Sequence, residues 1–337
     1  MLFRCIKLPE KPQLYEKGEP IVEVINLGFP HNLDQKSVPE AAVALGYFDG
    51  VHLGHQRVIA DAKEEASKKG IKTAVMTFHP HPKAVLRKLD QDIEHITPLK
   101  EKIERIQGEG VDILYIVDFS PEFANLTPQE FVDQYIIGLN IVHVSAGFDY
   151  TYGRMGKGTM ETLPFHSRGK FTYSTVGKLS EGGEKISSTR IRKLLSEGRT
   201  DEIAVLLGRN YTTPGVVIHG DKRGRTIGFP TANVEPENGY LIPPPGVYAV
   251  RIKIGGQWHF GVCNIGFKPT FNKDMRGKPS VEVHIFNFSD DVYGENVLVE
   301  WHKYLRKEQK FSGIEQLVAQ ITKDKLDAMV HFGIRPE

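Results

Sequence analysis

Two histidines in a glycine-rich segment are the first residues here whose types and spacing suggest chemistry. The segment GYFDGVHLGH runs from Gly46 to His55 and places His52 and His55 three residues apart. A strand-like run precedes it and a helical pattern follows it, so both histidines are expected at the start of a helix. Free backbone N–H groups and the helix dipole favour an anion there. Glycine residues in the same segment allow the backbone to approach that anion closely, namely Gly46, Gly50 and Gly54.

The histidine pair has three interpretations. As half of a zinc site it needs a third ligand, and no HExxH motif or cysteine pair supplies one. As ordinary surface histidines the two side chains need no ligand. As part of a phosphate site they donate hydrogen bonds to phosphate oxygens, and two further segments favour this third interpretation.

Those two segments carry residues suited to binding a nucleotide. GFDYTYGRMGKG, at 147–158, follows a strand-like run and is rich in glycine and aromatic residues. KISSTRIR, at 185–192, places two serines, a threonine and two arginines around the expected start of a helix. Hydroxyl and guanidinium groups in that arrangement can hold a triphosphate, and the alternative is an N-capped surface helix.

A second dense motif, PGVVIHGDKRGRTIGFPTAN, lies at 214–233. Its glycine-rich basic loop can wrap nucleotide phosphates, and the alternative is a solvated hairpin tip. The last four residues, PTAN, add a threonine hydroxyl and an asparagine carbonyl, which are oxygen ligands suited to Mg²⁺. The candidates are Gly220, Lys222, Arg223 and Arg225 for phosphate, with Thr231 and Asn233 for both phosphate and metal.

The elements that must position the first site alternate between strands and helices. This alternation predicts a parallel sheet covered by helices, with ligands bound where strands end and helices begin. The predicted strands are 41–48, 71–78, 112–117 and 141–148. The predicted helices are 55–70, one opened by Thr97 and Pro98, and one opened by a capping box of Thr127, Pro128 and Glu130.

After about residue 208 the pattern changes to short alternating runs, which predict a small antiparallel barrel. The predicted strands are 247–254, 257–264, 281–288 and 296–301, the first two joined by the hairpin signal Gly255-Gly256. A last helix is predicted from Ser312, with Glu315 completing a capping box. Its stripe expected to pack on the core is Ile314, Leu317, Val318 and Ile321.

Bulk composition argues against several classes of protein. The chain has 337 residues, 40% of them hydrophobic, which suits about two domains. Lys+Arg is 43 and Asp+Glu is 42, whereas a general nucleic-acid binder is usually far more basic. Cys5 and Cys263 are too few for a disulfide framework. Because no apolar run suits a signal peptide or a membrane span, we expect a cytoplasmic protein without nucleic-acid or membrane partners.

The N-terminal motifs together resemble the nucleotidylyltransferase superfamily. His52-Leu53-Gly54-His55 matches its H-x-G-H element, and the run from Ser187 to Arg192 matches its later S-[ST]-T-x-x-R-like element. The longer form GYFDGVHLGH, with TFHPHP at 77–82 and GFDYTYG at 147–153, is similar to the adenylyltransferase half of bacterial bifunctional FAD synthetases. Those enzymes transfer AMP from ATP to FMN.

This resemblance implies roles for individual residues. The FMN phosphate is already ionised near neutral pH, so the reaction needs alignment and charge neutralisation rather than a strong base. The implied residues are catalytic His52, His55 and Arg192, nucleotide-binding Gly46, Gly50, Gly54, Asp149, Ser188 and Thr189, and flavin-binding Tyr152. The alternatives are an aspartate that only turns the loop at Asp149 and a structural tyrosine at Tyr152. His81 matches a family position, but neither it nor His79 has a role assigned from spacing.

The second half resembles the riboflavin kinases, which are six-stranded barrels. The matching segments are 214–233, 246–250, 264–271, 281–288, 293–294 and 304–311. In that family the glutamate matching Glu282 is the base for the neutral ribityl hydroxyl. One departure is Asn287, where many relatives have Asp.

The two resemblances cover about 41 to 330 and imply a bifunctional riboflavin kinase and FMN adenylyltransferase. Riboflavin and ATP give FMN, and FMN and a second ATP give FAD and pyrophosphate, with Mg²⁺ as cofactor. The expected domains are 1–207, an α/β nucleotidylyltransferase-like fold with a Rossmann-like parallel sheet, and 208–337, an antiparallel β-barrel with a C-terminal helix. The alternatives are a riboflavin kinase with an inactive N-terminal domain and a flavin-binding regulator without catalytic activity.

Overall fold

A computed structural model describes residues 22–87, 93–220, 223–267 and 279–335. The chain divides into two compact units. The first unit is drawn from Met1–Ile93 and Leu99–Leu179, and the second from Glu94–Pro98 and Ser180–Glu337. The second unit therefore includes residues that precede residue 208. The predicted boundary between the two functional domains, at 207/208, stays a prediction.

The first unit is built from strands and helices that alternate along the chain. Its strands are β1 (Glu23–Leu27), β2 (Ala41–Leu45), β3 (Lys72–His79), β4 (Ile113–Asp118), β5 (Ile141–Gly147), β6 (Thr151–Tyr152), β7 (Gly158–Thr159) and β8 (Thr172–Val176). Its helices are α1 (Leu53–Lys69), α2 (Pro82–Arg87), α3 (Leu99–Gly108), α4 (Pro121–Ala124), α5 (Pro128–Phe131) and α6 (Leu163–Ser167). A π-helical segment, Val132–Ile136, continues α5, and short 3₁₀ turns lie at Gln35–Ser37, Ile137–Leu139 and Arg154–Gly156.

Six of these strands form one parallel sheet in the order β1-β4-β3-β2-β5-β8. Strand β2 is buried along its whole length because both of its faces are covered. Val43 and Leu45 pack into one hydrophobic cluster, and Ala44 packs into the other. The predicted parallel sheet is thus confirmed. Strands β2, β3 and β4 run across the sheet in one direction and β5 lies on the other side of β2, which makes the β2–β5 junction a topological switch point.

Helix α1 confirms the predicted helix and packs one face on the sheet. Val58, Ile59, Ala62 and Ala66 are buried on this face. The helix ends at Gly70, whose φ of 64° is the left-handed C-cap conformation that glycine adopts without strain. The helix begins two residues before the predicted start. The predicted capping box from Thr127 to Glu130 is also confirmed.

The second unit is a closed antiparallel barrel with helices before and after it. Its strands are β9 (Ser180–Glu181), β10 (Glu184–Lys185), β11 (Tyr211–Ile218), β12 (Ala232–Pro236), β13 (Gly246–Ile254), β14 (Gln257–Phe267), β15 (Pro279–Ile285) and β16 (Asn296–Arg306). Its helices are α7 (Ser188–Ser196), α8 (Thr200–Leu207), α9 (Arg223–Thr226) and α10 (Ile314–His331). The barrel order is β11-β12-β15-β14-β13-β16, which confirms the predicted architecture. Gly255 and Gly256 form the predicted hairpin turn, with φ of 53° and 87°.

The last helix was predicted correctly in position but not in detail. Its N-cap is Gly313, without a side-chain cap, so the predicted Ser312–Glu315 capping box is wrong. Ser312 instead donates its hydroxyl to Oε1 of Gln316 at 2.8 Å. Ile314 is exposed, so it does not join the core as predicted. The residues that α10 buries lie further along it, namely Asp324, Ala328 and Met329.

Candidate functional site

The turn between β2 and α1 has an unusual backbone. Phe48, Gly50 and Val51 have positive φ values of 56°, 93° and 39°. Residues other than glycine adopt this region of backbone conformation only at a cost in free energy. Gly46 allows this shape, because a Cβ there would lie 2.9 Å from the Phe48 ring. The turn delivers the chain to His52 at the start of α1. Its strained conformation must therefore be held by the surrounding structure.

His52 and His55 form a stacked pair at the start of α1. His52 is the N-cap, and its Nδ1 accepts the backbone N–H of His55 at 3.2 Å. The proton of a neutral His52 ring is therefore on Nε2. The two rings are parallel to within 15°, with centroids 3.6 Å apart. His52 is only 5% exposed, which rules out the surface interpretation for that residue.

The turn after β5 leaves the sheet beside the turn after β2. Leu45 pairs in register with Ala146, so Gly46 and Asp149 follow neighbouring strand ends. Asp149 is exposed there. The two turns flank the topological switch point, where ligands of open parallel sheets bind. Gly54 is the second residue of α1, in the turn that presents free N–H groups.

Tyr152 lies in the core of the first unit. Its hydroxyl is 2.7 Å from Nδ1 of His166, and burial raises the pKa of that hydroxyl. Its ring covers Gly158, where a Cβ would come within 2.4 Å of the ring. These contacts give Tyr152 a packing role, and flavin binding by this side chain stays a prediction.

The segment KISSTRIR begins α7 in the second unit. Ser187 is the N-cap, and its hydroxyl accepts the backbone N–H of Arg190 at 3.2 Å. Ser188 and Thr189 occupy the first turn. Arg192 donates from Nη1 to the carbonyl oxygen of Glu94 at 2.9 Å. The N-capped helix is therefore present, and ATP binding by Ser188, Thr189 and Arg192 stays a prediction.

A polar row crosses three neighbouring strands of the barrel. Glu282 on β15 pairs in register with Asn233 on β12 and with Asn264 on β14. Val281 and Val283 on either side of Glu282 are buried, because successive side chains of a strand point to opposite faces. The Oε1 atom of Glu282 accepts the Ser280 hydroxyl at 2.9 Å. The row thus brings Glu282 to Asn233, and it adds Asn264, to which the sequence had assigned no role.

The glycine-rich loop packs directly on the PTAN segment. A Cβ at Gly220 would lie 2.2 Å from the amide nitrogen of Asn233. A Cβ at Gly224 would lie 2.2 Å from the carbonyl oxygen of Phe229 and 3.7 Å from the Thr231 hydroxyl. Both positions require glycine, because a Cβ atom would clash at these distances. Arg225 is exposed in α9, and Lys222 lies outside the described residues.

Lys102 is a buried charged residue that the sequence analysis did not single out. It is 2% exposed on α3, and its Nζ donates to the carbonyl oxygen of Tyr47 at 2.8 Å. Its position between Leu99 and Ile106 on the apolar face of α3 was the available signal. His81, to which the sequence analysis assigned no role, packs on Tyr47, with the two ring centroids 4.3 Å apart. Lys102 and His81 therefore both contact Tyr47, near the beginning of the turn between β2 and α1.

The backbone at Asn287 accounts for the departure noted there. Its φ is 52°, in the left-handed region where Asn and Asp are both enriched. An asparagine can therefore replace an aspartate at this turn without added backbone strain.

Comparison with known families divides the chain into two matches. The FAD synthetase family model matches residues 34–190. The riboflavin kinase family model matches residues 207–332. The first match includes the histidine pair and the second includes the Glu282 row, whereas Arg192 lies between the two matches.

Whole-chain relatives match the two halves in one polypeptide. The bifunctional riboflavin kinase/FMN adenylyltransferase of Bacillus subtilis (strain 168) is 51% identical over 311 residues, 92% of this chain and 98% of the relative. The protein of the same name from Listeria monocytogenes serovar 1/2a is 46% identical, with the same coverage. A crystal structure of a macrolide-efflux protein from Streptococcus pneumoniae has a TM-score of 0.80 and 38% identity, covering 90% of this chain and 97% of that one. In the part of the chain that the structure describes, no helix is long and apolar enough to cross a membrane.

Proposed function

The chain belongs to the family of bifunctional riboflavin kinases and FMN adenylyltransferases, and we propose that its two candidate sites each carry one of the two activities. The enzyme phosphorylates riboflavin with ATP to FMN and then adenylylates FMN with a second ATP to FAD and pyrophosphate. The observation that carries the site assignment is that the histidine pair and the Glu282 row lie on different compact units. Separate assays of the two half-reactions test it.

For adenylyl transfer, the histidine pair binds the ATP phosphates. The neutral His52 ring carries its proton on Nε2, and α1 adds backbone N–H groups and its dipole. These groups are fixed before ATP binds, so they stabilise charge on the transferring phosphate without reorganisation. The FMN phosphate is the nucleophile and needs no base. Arg192, Ser188 and Thr189 remain proposed ATP ligands by family resemblance.

For the kinase reaction, Glu282 is the proposed general base. The nucleophile is a neutral hydroxyl of riboflavin, and its proton goes to the Glu282 carboxylate as the oxygen attacks the γ-phosphate of ATP. The bond between the γ-phosphorus and the bridging oxygen breaks, and ADP leaves. The Ser280 hydroxyl holds one carboxylate oxygen, which fixes the side chain for that transfer. The asparagine on each side, Asn233 and Asn264, keeps this part of the face polar.

The PTAN segment suits a magnesium ion bound together with ATP. Its donors are oxygens, the Thr231 hydroxyl and the Asn233 carbonyl, and both side chains lie against the glycine-rich loop. Bound there, Mg²⁺ supplies positive charge to the phosphates. We expect excess EDTA to slow both half-reactions at least about 10²-fold, and Mg²⁺ to restore them. Stoichiometric zinc in the purified, untagged protein, or full activity after chelation, would contradict this assignment.

The kinase unit is expected to work without the adenylyltransferase unit. We expect fragments 180–337 and 208–337 both to convert riboflavin to FMN, because each retains the barrel and the Glu282 row. The shorter fragment lacks α8, which packs on β11 and β16 and buries Ile203, Leu206 and Leu207. Each such side chain contributes about 1.5–3 kcal/mol when buried, so the shorter fragment should melt at a lower temperature. A folded 180–337 fragment that makes no FMN would refute the assignment of the kinase to this unit.

A further inference from the structure

A buried lysine lies behind the turn that carries the histidine pair. Lys102 is 2% exposed, and lysines are almost never buried to this extent unless a partner compensates their charge. Its Nζ donates to the carbonyl oxygen of Tyr47 at 2.8 Å and lies 3.8 Å from the centroid of the Tyr47 ring. Thr77 donates its hydroxyl to the same carbonyl oxygen at 2.9 Å. Two donors from α3 and β3 therefore fix the carbonyl group of Tyr47, near the beginning of the turn.

We propose that Lys102 is a positioning residue for adenylyl transfer, whose ammonium group holds the turn between β2 and α1 in the shape that presents His52 and His55 to the ATP phosphates. The inference rests on the proposed role of the histidines. Phe48, Gly50 and Val51 have positive φ, so the turn is held by contacts rather than by backbone preference.

The charge of Lys102 is part of this function. Burial lowers the pKa of its ammonium group to about 8, and attraction by the nearby buried Asp49 partly offsets that effect. Of the other titratable groups close by, His81 contacts the Tyr47 ring, and Glu101 on the same helix pairs with Arg105. The cation–π contact with Tyr47 and the attraction to Asp49 both exist only while Lys102 is protonated.

The sign of the pH effect separates this function from simple packing. Because the folded-state pKa lies below the unfolded value of 10.5, the unfolded chain binds more protons between about pH 8 and 10.5. The contribution of Lys102 to the free energy of unfolding therefore rises with pH in that window. Activity is expected to fall over the same window, since the turn loses the charge that holds it.

The test compares the wild type with Lys102→Met, which keeps the length of the side chain and removes its charge. At pH 7 we expect kcat/KM for FAD formation from FMN and ATP to fall about 10²-fold, as for a misplaced catalytic group. As the pH rises through 8, the wild-type value should fall toward that of the variant, so that the ratio of the two values narrows steadily between pH 7 and pH 10. FMN formation by the same preparations should not differ. The matched control is Lys100→Met, an exposed lysine on the same helix, which should behave as wild type.

The outcomes are distinguishable. A wild-type to K102M ratio that stays constant from pH 7 to 10, or K102M activity equal to wild type at pH 7, would overturn the inference. Lys102→Arg stays charged throughout that range, so its FAD formation should not fall between pH 8 and 10. If both variants fail to fold, the wild-type profile alone decides, because FAD formation that is level from pH 7 to 10 would overturn the inference. A wild type that makes no FAD contradicts the proposed function itself.

Discussion

Replacing both His52 and His55 with alanine is expected to abolish FAD formation and to leave FMN formation close to the wild-type rate. The loss should be on the order of 10³-fold or more, because removing a single preorganised donor at an anionic transition state already costs about 10²–10³-fold. The kinase should be unaffected because Glu282 and its neighbours lie in the other compact unit. Both half-reactions are measured on one preparation, with FMN supplied directly for the second.

The alanine variant also removes the N-cap of α1, which costs about 0.5–2 kcal/mol. A matched variant, His52→Asn with His55→Ala, restores a capping side chain without restoring the ring. It should recover the melting temperature and should still make FAD at least about 10²-fold more slowly than the wild type. Equal loss of both activities in a folded variant, or recovery of FAD formation by the asparagine, would exclude phosphate binding by the histidine rings.

Replacing Glu282 with glutamine is expected to slow FMN formation by about 10²–10⁴-fold, the usual contribution of a general base. The amide keeps the shape of the side chain and can still contact Ser280, so the barrel should remain folded. Riboflavin and ATP binding should change much less than the rate. FAD formation from supplied FMN should be unchanged, because its nucleophile needs no base.

The matched control is Glu235→Gln on the neighbouring strand β12. Glu235 is exposed and lies two residues after Asn233. Its replacement tests whether the kinase rate depends on Glu282 itself or on any carboxylate nearby. This control should keep the wild-type kinase rate. A Glu282→Gln enzyme within threefold of the wild type would leave the barrel intact and remove Glu282 from the role of base.

The sheet and the barrel could be predicted because hydrophobic periodicity is a local property of the sequence. The buried run of β2 and the alternation around Glu282 need no knowledge of distant residues. The position of the histidine pair followed from the same pattern, since it lies between a strand and a helix.

The remaining features depend on tertiary contacts. Tyr152 is buried because Gly158 leaves room for its ring, and no local pattern gives that contact. Ser312 had a suitable partner in Glu315 three residues later, but its hydroxyl bonds to Gln316 instead. Lys102 was overlooked because a lysine on an apolar stripe normally extends its charged end into water. The cytoplasmic location and the lack of nucleic-acid and membrane partners stay predictions.

We propose that this one chain carries two activities at two separate sites. The most direct test is to incubate the purified full-length protein with riboflavin and Mg-ATP and to resolve the flavins by chromatography over time. FMN should appear first and FAD should follow, and FMN supplied alone with Mg-ATP should give FAD at once. FMN that is not converted to FAD in either incubation would identify a kinase with an inactive first unit, and riboflavin that stays unchanged would contradict the proposed function.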